Sequence, residues 1–378
     1  MATTQRRPAA ATTYLARACA LIGLGLALAS CSAVEHAVTK SAHPKTPKPA
    51  STTTIAKPSS STIPETGPPP SSSSANQPAT TGLSPLPTPA TLSPFSPSAL
   101  PGEGAWKPAG RLVAGMPAVF ETTLVPPGGS QPAGIAWMDT HLLSARLYSG
   151  SMSPGGGPYK YTAPVEPAQA ASLVAAFNGG FVMNVAGGGY YTEGRLIDPL
   201  RTGAASLVIY SNGSVNIGAW GTDVTMAPNV VSVRQNLSPL VSNGQPTPLA
   251  ASADWQAWGA TCGATSCAAS VPGIENQWRS GLGITADGAL VYATGPALDP
   301  LQLAQLLVQA GAVRGMQLDI NPDWPVFATY DPSTPDGLAA PSNGTKLLAS
   351  TIQGPWTFFE AWWARDFITM SARPIPPA

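Results

Sequence analysis

Three polar side chains stand at alternate positions directly after a short apolar run, and they are the strongest candidates for chemistry in this sequence. Asp319, Asn321 and Asp323 follow the run from Val313 to Leu318, in a chain of which only 10% of the residues are charged. Polar groups at the end of a buried strand are held by a rigid scaffold, which suits an active site. A carboxylate placed there can act as a general acid or base. Asp319 is therefore the first candidate catalytic residue.

A helix and a strand must position this cluster. Asp299 and Pro300 open an apolar run that Gly311 closes. An aspartate N-cap, a proline in the first turn and a glycine just past the end are the usual boundaries of a helix. The pattern then changes to that of a short buried strand, Val313 to Leu318, which leads directly to Asp319.

The same arrangement recurs, in shorter form, earlier in the chain. Pro167 begins a short helix over Ala168 to Leu173, and Val174 to Phe177 follows as a buried strand. That strand ends in Asn178-Gly179-Gly180-Phe181, where the glycines allow another group to approach the backbone closely. Taken alone, Asn-Gly-Gly indicates only a turn, so its meaning depends on the rest of the chain.

Strands dominate the remainder of the domain. Asn212-Gly213 and Asp287-Gly288 each separate two strand-like runs, which is a strong hairpin signal. The dense aromatic segment from Trp356 to Phe367 is more typical of a packed core than of a ligand platform. We predict an α+β fold, a single domain of mixed β-sheets with a few short helices.

Several classes of function are disfavoured by composition. The segment that begins at Asp319 resembles the opening of a calcium loop, but Trp324 stands where that loop needs glycine and Tyr330 where it needs a bidentate glutamate. His141 is the only histidine of the predicted domain, which gives little support for a zinc site or a Ser-His-Asp triad. The formal net charge of +0 gives no basic surface for nucleic acid. We expect no metal and no cofactor, although a bound cation stays open.

The N-terminus has the features of an export signal. A basic start at Arg6 and Arg7 leads to an apolar run of about a dozen residues that ends in Leu-Ala-Ser-Cys at Cys31. This ending resembles a bacterial lipobox, in which the cysteine is lipidated. The alternative is an ordinary signal cut near Ala29 or Ala33. We expect residues 1–30 to be a lipoprotein signal peptide and Cys31 to carry the anchor.

A tether follows the signal. Residues 31–105 are rich in Pro, Ser, Thr and Ala and contain few large apolar residues, so they cannot bury enough surface to offset the entropy of ordering. We predict a disordered, semi-extended spacer, with residues 106–378 as the folded domain. A protein built this way would sit on the outer face of the bacterial cell membrane, facing the cell wall. In an exported domain, Cys262 and Cys267 would form a disulfide that closes a short loop.

Three motifs together resemble the phosphodiester glycosidase family. They are Asn178-Gly179-Gly180-Phe181, the run from Arg279 to Gly283, and Asp319 after a Gly-Ala turn. Known members of the family include an enzyme that removes N-acetylglucosamine from a phosphodiester. The likeness covers about residues 174–321. It departs from the family where Asp-Gly-Gly is replaced by Asp319-Ile320-Asn321-Pro322, since Ile and Pro restrict the backbone and Pro lacks an amide donor.

The resemblance implies roles for these residues. Arg279 would clamp the phosphate with its planar fork of donors. Asp319 would act as general acid or base, or would stabilise an oxocarbenium-like centre. Glu193 is our candidate for the second catalytic carboxylate, although the sequence does not choose between it, Asp198 and Asp323.

Substrate binding would fall to neighbouring positions. Asn178, Gly179 and Gly180 would contact phosphate or sugar oxygens, and Asn321 and Asp323 would supply side-chain contacts in place of the missing glycines. The resemblance therefore implies an exported hydrolase that cleaves a sugar-1-phosphodiester in a cell-wall or extracellular glycan. The alternative is a cell-surface glycan-binding lipoprotein that keeps the scaffold without turnover.

Overall fold

Strands make up most of the regular structure. The computed structural model describes residues 83–97, 100–252, 254, 256–259 and 277–375. The strands within these residues are β1 (Lys107–Ala109), β2 (Val119–Leu124), β3 (Ala133–Met138), β4 (Leu143–Tyr148), β5 (Leu173–Asn178), β6 (Tyr190–Thr192), β7 (Arg195–Asp198), β8 (Ala205–Tyr210), β9 (Val215–Ala219), β10 (Val230–Gln235), β11 (Pro239–Ser242), β12 (Gln245–Pro246), β13 (Gln277–Thr285), β14 (Leu290–Leu298), β15 (Ala312–Gln317), β16 (Phe327–Tyr330), β17 (Gly344–Lys346) and β18 (Phe367–Ala372).

The helices are short. The α-helices are α1 (Pro167–Ala170) and α2 (Pro300–Gln309), and single 3₁₀ turns span Gln256–Trp258, Pro341–Asn343 and Pro355–Phe359. The Asp299 side chain accepts a hydrogen bond from the Gln302 amide at 2.6 Å, and the Gln302 side chain accepts one from the Asp299 amide at 3.0 Å. This capping box, with Gly311 at φ +92° beyond the helix, confirms the predicted boundaries of α2.

The described strands form three sheets. Their strand orders are β1-β2-β3-β14-β13-β15-β11-β12 in the eight-stranded sheet, then β7-β6-β10-β8-β9 and β17-β16-β5-β18-β4 in the two five-stranded sheets. Every pairing between these strands is antiparallel. The hairpins predicted around Asn212-Gly213 and Asp287-Gly288 are confirmed as β8–β9 and β13–β14.

One large core joins all three sheets. Its members include Met316 and Leu282 from the eight-stranded sheet, Ile217 from the second sheet and Phe177 and Ile368 from the third. Helix α2 packs on the other face of the eight-stranded sheet, over a second core. The aromatic segment near the C-terminus packs with the third sheet, as predicted, since Phe358, Trp363 and Phe367 are fully buried. The strands that carry the polar cluster are therefore held from both faces.

Two features of the predicted fold need correction. The sheets are antiparallel rather than mixed and helices are few, so the fold is mostly β with the α+β character limited to α1, α2 and single turns. The helix predicted from Pro167 to Leu173 ends at Ala170, because the chain enters β5 at Leu173. Burial of Leu173 in the sheet overrides its helix propensity.

The folded part also begins earlier than residue 106. Leu86 is buried and its amide donates to the Asp139 carboxylate at 2.8 Å, while the Trp106 indole donates to the Ala90 carbonyl at 2.9 Å. The Gln309 side chain of α2 donates to the Ser93 carbonyl at 2.6 Å. An extended, proline-rich chain can thus be held by single hydrogen bonds and one buried leucine.

The remaining N-terminal predictions lie outside the described residues. These are the signal peptide, the lipidated Cys31 and most of the tether, and the proposed Cys262–Cys267 disulfide lies outside as well. Among the described helices, none combines the length and the apolar character needed to cross a bilayer.

Candidate active site

Asp319 lies two residues beyond the end of β15, where the strand gives way to a loop. Its side chain is only 2% exposed. One carboxylate oxygen, Oδ1, accepts hydrogen bonds from the amides of Ile320 (2.8 Å) and Asn321 (3.0 Å). The other, Oδ2, accepts a hydrogen bond from Arg365 at 2.5 Å. Burial raises the pKa of Asp319 above its ordinary value, although Arg365 and the two amides act in the opposite direction.

Arg365 is the cation beside Asp319. Its side chain is 10% exposed, more than that of its carboxylate partner. The guanidinium lies over the ring of Trp324, with its carbon 4.7 Å from the ring centroid. An arginine has five N–H donors, and the contact with Asp319 uses one of them. The contact with the Trp324 ring restricts the guanidinium, and the hydrogen bond to Asp319 leaves donors of Arg365 that the described contacts do not use; two such donors could bind an oxyanion bidentately.

Asn178 supports the site from the end of β5. Its Nδ2 donates to the Gly179 carbonyl (2.8 Å) and the Ser280 hydroxyl (3.0 Å), and its Oδ1 accepts from the Tyr292 hydroxyl (2.7 Å) and the Val326 amide (3.1 Å). A side-chain amide has two donor hydrogens and two acceptor positions. All four are used within the protein, so the geometry gives Asn178 a positioning role rather than direct contact with a substrate.

Ser280 connects Asn178 to the catalytic candidate. Its hydroxyl oxygen accepts hydrogen bonds from the Asn178 side chain and from the Asp319 amide, the latter at 3.1 Å. The Ser280 amide donates to the Asp319 carbonyl at 2.8 Å. Because the serine, the asparagine and the aspartate are all nearly inaccessible to solvent, these bonds fix the register of β13 against the end of β15.

A second ion pair lies beneath the Gly179-Gly180 turn. Arg234 donates from Nε to Asp366 Oδ2 (2.8 Å) and from Nη2 to Asp366 Oδ1 (3.1 Å), with both side chains essentially fully buried. Arg234 also donates to the carbonyls of Gln235, at 2.5 Å, and Phe181. Burial acts to lower the pKa of Arg234, but Asp366 and other neighbouring groups outweigh it, so that pKa is raised.

The two glycines make room for this ion pair. A Cβ on Gly179 would lie 2.1 Å from Asp366 Oδ2, and one on Gly180 would lie 2.6 Å from Asn236 Oδ1. The Gly179 amide donates to the Asp366 carbonyl at 2.8 Å, and the Phe181 amide donates to Asn236 Oδ1 at 2.9 Å. The close approach expected at Gly179-Gly180 is therefore observed, but the group that approaches is the protein itself.

Arg279 contacts different partners from those expected. Its Nε donates to the Leu298 carbonyl and its Nη1 to the Gln317 side chain, both at 2.7 Å. Gln317 in turn donates to the Trp258 carbonyl at 3.1 Å. Burial lowers the pKa of Arg279 to about 10, against a smaller opposing effect of Asp299. These contacts tie β13 to β14 and β15, and the structure gives Arg365, rather than Arg279, the position beside Asp319.

Asn321 and Asp323 lie in the exposed loop that follows Asp319. The Asn321 side chain accepts a hydrogen bond from the Asp323 amide at 3.0 Å, and the Trp324 amide donates to the Asn321 carbonyl at 3.0 Å. The loop thus curls back towards Arg365, with Trp324 between them. Both polar side chains stay accessible next to the buried ion pair, as a substrate-binding role requires.

Glu193 lies elsewhere. Its carboxylate accepts hydrogen bonds from the amides of Lys160 (3.0 Å) and Tyr161 (2.9 Å), and it lines a cavity beside β4. Its φ of +52° is strained for a residue other than glycine or asparagine. The described contacts therefore do not bring Glu193 to Asp319, and Asp323, in the loop that follows Asp319, is nearer in sequence.

Metal sites in proteins use sets of ligand side chains that lie close together. Within the part of the chain that the structure describes, no group of three or more His, Cys, Asp or Glu side chains could hold a metal ion.

Sequence reasoning missed three residues that the structure brings to the site: Arg365, Asp366 and Arg234. Arg365 and Asp366 stand inside an aromatic segment, and Arg234 stands inside an apolar strand pattern. Charged residues are so scarce in this chain that charges in apolar surroundings were the available signal, because a buried charge needs a partner.

Comparisons with known proteins agree with the motifs. The family model described as phosphodiester glycosidase matches residues 171–319. Among curated proteins, no sequence matches the chain. The solved structures that resemble it include the zebrafish N-acetylglucosamine-1-phosphodiester alpha-N-acetylglucosaminidase catalytic domain auto-inhibited by its pro-peptide. That structure is 14% identical, covers 76% of this chain and 87% of its own, and has a TM-score of 0.38.

Another is a hypothetical protein from Synechocystis, 11% identical, which covers 71% of this chain and 64% of its own with a TM-score of 0.34. Structural similarity at this level says nothing about activity. The family match begins just before β5 and ends at Asp319, so it spans both strand ends that build the site. Residues 171–319 are thus similar to the phosphodiester glycosidase family, as the three motifs predicted.

Proposed function

We propose that this protein hydrolyses a sugar-1-phosphodiester at the Asp319–Arg365 pair. The observation that carries the proposal is a buried carboxylate of raised pKa bonded to an arginine that is more accessible and has donors to spare. The match of residues 171–319 to the phosphodiester glycosidases supports the choice of reaction. The guanidinium can bind a phosphate through two parallel hydrogen bonds, and the carboxylate can accept the proton that hydrolysis removes from water.

Arg365 would bind the phosphate of the substrate. Its donors would pair with the two non-bridging oxygens and would stabilise the negative charge that collects on the leaving phosphate as the bond to the sugar breaks. A phosphate is already a good leaving group when its charge is balanced, so little protonation of the leaving oxygen is needed. The main remaining demand is a base for the attacking water.

Asp319 would supply that base. About four lone-pair positions exist on a carboxylate, and Ile320, Asn321 and Arg365 fill three of them, which leaves one for a water molecule. A raised pKa makes this carboxylate a better proton acceptor than an ordinary aspartate. The water would lose its proton to Asp319 and attack the anomeric carbon, and the bond from that carbon to the phosphate oxygen would break.

The test is release of free sugar from an N-acetylglucosamine-1-phosphodiester by the full chain, beside Asp319→Asn. We expect the wild type to turn over and the variant to lose about 10²–10⁴-fold, the usual contribution of a general acid or base. An Asp319→Asn protein that remains folded and retains full activity would rule out this role for Asp319.

The second candidate function is glycan binding without turnover. Two observations favour it: Asp319 is nearly inaccessible, and Ile320 and Asn321 stand where the family has two glycines, followed by Pro322, which restricts the backbone and lacks an amide donor. The same assay separates the candidates when it is paired with calorimetry. Binding that depends on Arg365 and never yields product would support the binding protein.

We also propose that the protein is exported and anchored to the outer face of the membrane through Cys31. The support is the sequence alone, a basic and apolar start that ends in Leu-Ala-Ser-Cys. Replacing Cys31 with serine should move the protein from the membrane fraction to the soluble fraction. Unchanged membrane association of that variant would contradict the anchor.

A further inference from the structure

A cavity of about 570 Å³ opens beside β4, apart from Asp319. The tip of the β8–β9 hairpin, the start of β10 and the segment around Tyr161 form its other walls. Its volume lies within the range of sites that bind small molecules or sugar units. Arg146 pairs with Thr369 in β18, three residues beyond Asp366, which places this wall about 10 Å along the strand from the Arg234–Asp366 ion pair.

The cavity has an excess of positive charge. Arg146, Lys160 and Arg373 line it, against one carboxylate, Glu193. Among the described residues, none of these three cations forms a salt bridge. Arg373 donates to the carbonyls of Thr140 and Asn212, which hold its side chain in place without neutralising it.

An aromatic ring organises two of the cations. The Arg146 guanidinium lies 4.0 Å from the centroid of the Tyr161 ring, and the Lys160 ammonium lies 5.3 Å from it. Glu193 binds the backbone amides of Lys160 and Tyr161 with both carboxylate oxygens. Glu193 therefore holds in place the segment that carries Lys160 and Tyr161. Its strained backbone conformation lies in the wall of the cavity.

We propose that this cavity binds a negatively charged unit of a glycan, with Arg146 and Lys160 contacting its carboxylate or phosphate groups. Arginine and lysine that lack carboxylate partners gain most from an anionic ligand, and the rings and hydroxyls of Tyr161 and Tyr210 suit a sugar. The requirement for negative charge follows from the cavity, whereas the choice of a glycan rests on the proposed function. Glu193 is then a positioning residue of this second site rather than a catalytic partner of Asp319.

Calorimetric titration of the full chain tests the proposal, with three ligands of similar length. They are an oligogalacturonate, a phosphorylated maltooligosaccharide and the same maltooligosaccharide without phosphate, so that carboxylate and phosphate sources are told apart. We expect at least one charged ligand to bind and the neutral one not to bind. Binding should weaken at least tenfold in Arg146→Ala/Lys160→Ala and should weaken as salt is added.

Three controls keep the result independent of catalysis and folding. Lys107→Ala removes an exposed cation outside this cavity and should leave binding unchanged. Asp319→Asn should bind the charged ligand as tightly as the wild type does. Binding at this cavity is therefore measured independently of the proposed hydrolysis, and absence of hydrolysis would not contradict it. Arg146→Gln, at an exposed position, serves if the double variant does not fold. Equal binding of the neutral ligand, no binding of either charged ligand, or undiminished binding by the variants would overturn the proposal.

Discussion

Arg365 and Asp366 are neighbours in the chain, yet each belongs to a different ion pair, and the two pairs have different surroundings. Asp366 pairs with Arg234 through two hydrogen bonds, and the side chains are 0% and 1% exposed. Arg365 pairs with Asp319 through one hydrogen bond, and its side chain is 10% exposed. The first pair lies against Gly179, Gly180 and the Phe181 carbonyl, whereas the second adjoins an accessible loop.

The difference in burial and bonding distinguishes a pair suited to stabilising the fold from a pair suited to binding a ligand. Arg234 directs its donors to Asp366 and to two backbone carbonyls inside the protein, which leaves this pair little capacity to bind a ligand. Removing one partner would leave an uncompensated buried charge. A pair with donors to spare can bind an anion at modest cost to the fold. We therefore propose that Arg234–Asp366 serves stability and that Asp319–Arg365 serves function.

The largest effect on stability is expected from breaking the closed pair. Asp366→Asn should lower the free energy of unfolding by about 3–5 kcal/mol, because Arg234 would lose its counter-charge in a buried site. Chemical denaturation measures this directly. Asp323→Asn, at an exposed position, is the matched control and should change stability by no more than about 0.5 kcal/mol. Equal losses in the two variants would remove the basis of the comparison.

The glycine turn tests how tightly the closed pair is packed. Gly179→Ala should cost about 1–3 kcal/mol, because the new Cβ would lie 2.1 Å from Asp366 Oδ2 and 2.7 Å from the Asp366 carbonyl oxygen. Gly157→Ala is the control, since its Cβ would meet nothing nearer than 3.6 Å. If Gly179→Ala instead left stability intact and abolished only substrate binding, the turn would belong to the functional site.

Glu121 extends the comparison to a carboxyl that has no arginine. Burial raises its pKa to about 7, against a hydrogen bond from Thr329, and its buried Oε1 has no partner among the described residues. The folded state thus keeps a proton between about pH 4.5 and 7 that the unfolded state releases.

Stability should therefore fall as the pH rises through that window, by on the order of 3 kcal/mol, and level off above it. Glu121→Gln cannot ionise and should lose this part of the pH dependence, so that it is more stable than the wild type at pH 8. Denaturation midpoints at pH 5 and pH 8 measure both effects. The same slope in the variant as in the wild type would show that another group is responsible.

The smallest effect is expected at the support of the functional pair. Tyr292→Phe removes the hydroxyl that donates to Asn178 Oδ1, which still accepts from the Val326 amide. The loss should be about 1 kcal/mol, the net contribution of one hydrogen bond. Turnover should fall only slightly, because Asn178 positions the site without contacting the substrate. A loss of activity much larger than the loss of stability would place Asn178 or Tyr292 against the substrate itself.

Local rules predicted the elements of this fold but not the pairing of its charges. The capping box of α2, the glycine after it and the two hairpin turns are each encoded within a few residues, so the sequence indicates them directly. The strand ends at Asn178 and Asp319 followed from the same rules. The hydrogen-bonded partners Arg365 and Asp319 are 46 residues apart in the sequence, and Tyr292 and Asn178 are 114 apart. No local sequence pattern specifies contacts over such separations.

Arg279 shows what a motif match leaves open. Its spacing matched the family resemblance, but in the folded chain its donors are directed to the Leu298 carbonyl and the Gln317 side chain. A strand residue faces one side of its sheet or the other, and a motif match does not say which partner the neighbouring strands will supply.

The most direct test of this account is turnover by Arg365→Lys. Lysine keeps the charge but lacks the planar fork that binds a phosphate bidentately. We predict that kcat/KM for an N-acetylglucosamine-1-phosphodiester falls by about 10²-fold, the effect of losing one well-placed donor to a developing charge. Its unfolding free energy should stay within about 1 kcal/mol of the wild type, because lysine keeps the positive charge beside the buried carboxylate and can still donate a hydrogen bond to it.

Arg314→Lys is the matched control, because Arg314 donates to Asn216 rather than to Asp319. It should keep wild-type turnover. A folded Arg365→Lys protein with wild-type kcat/KM would contradict the assignment of Arg365 as the phosphate-binding cation, and with it the division of the two ion pairs.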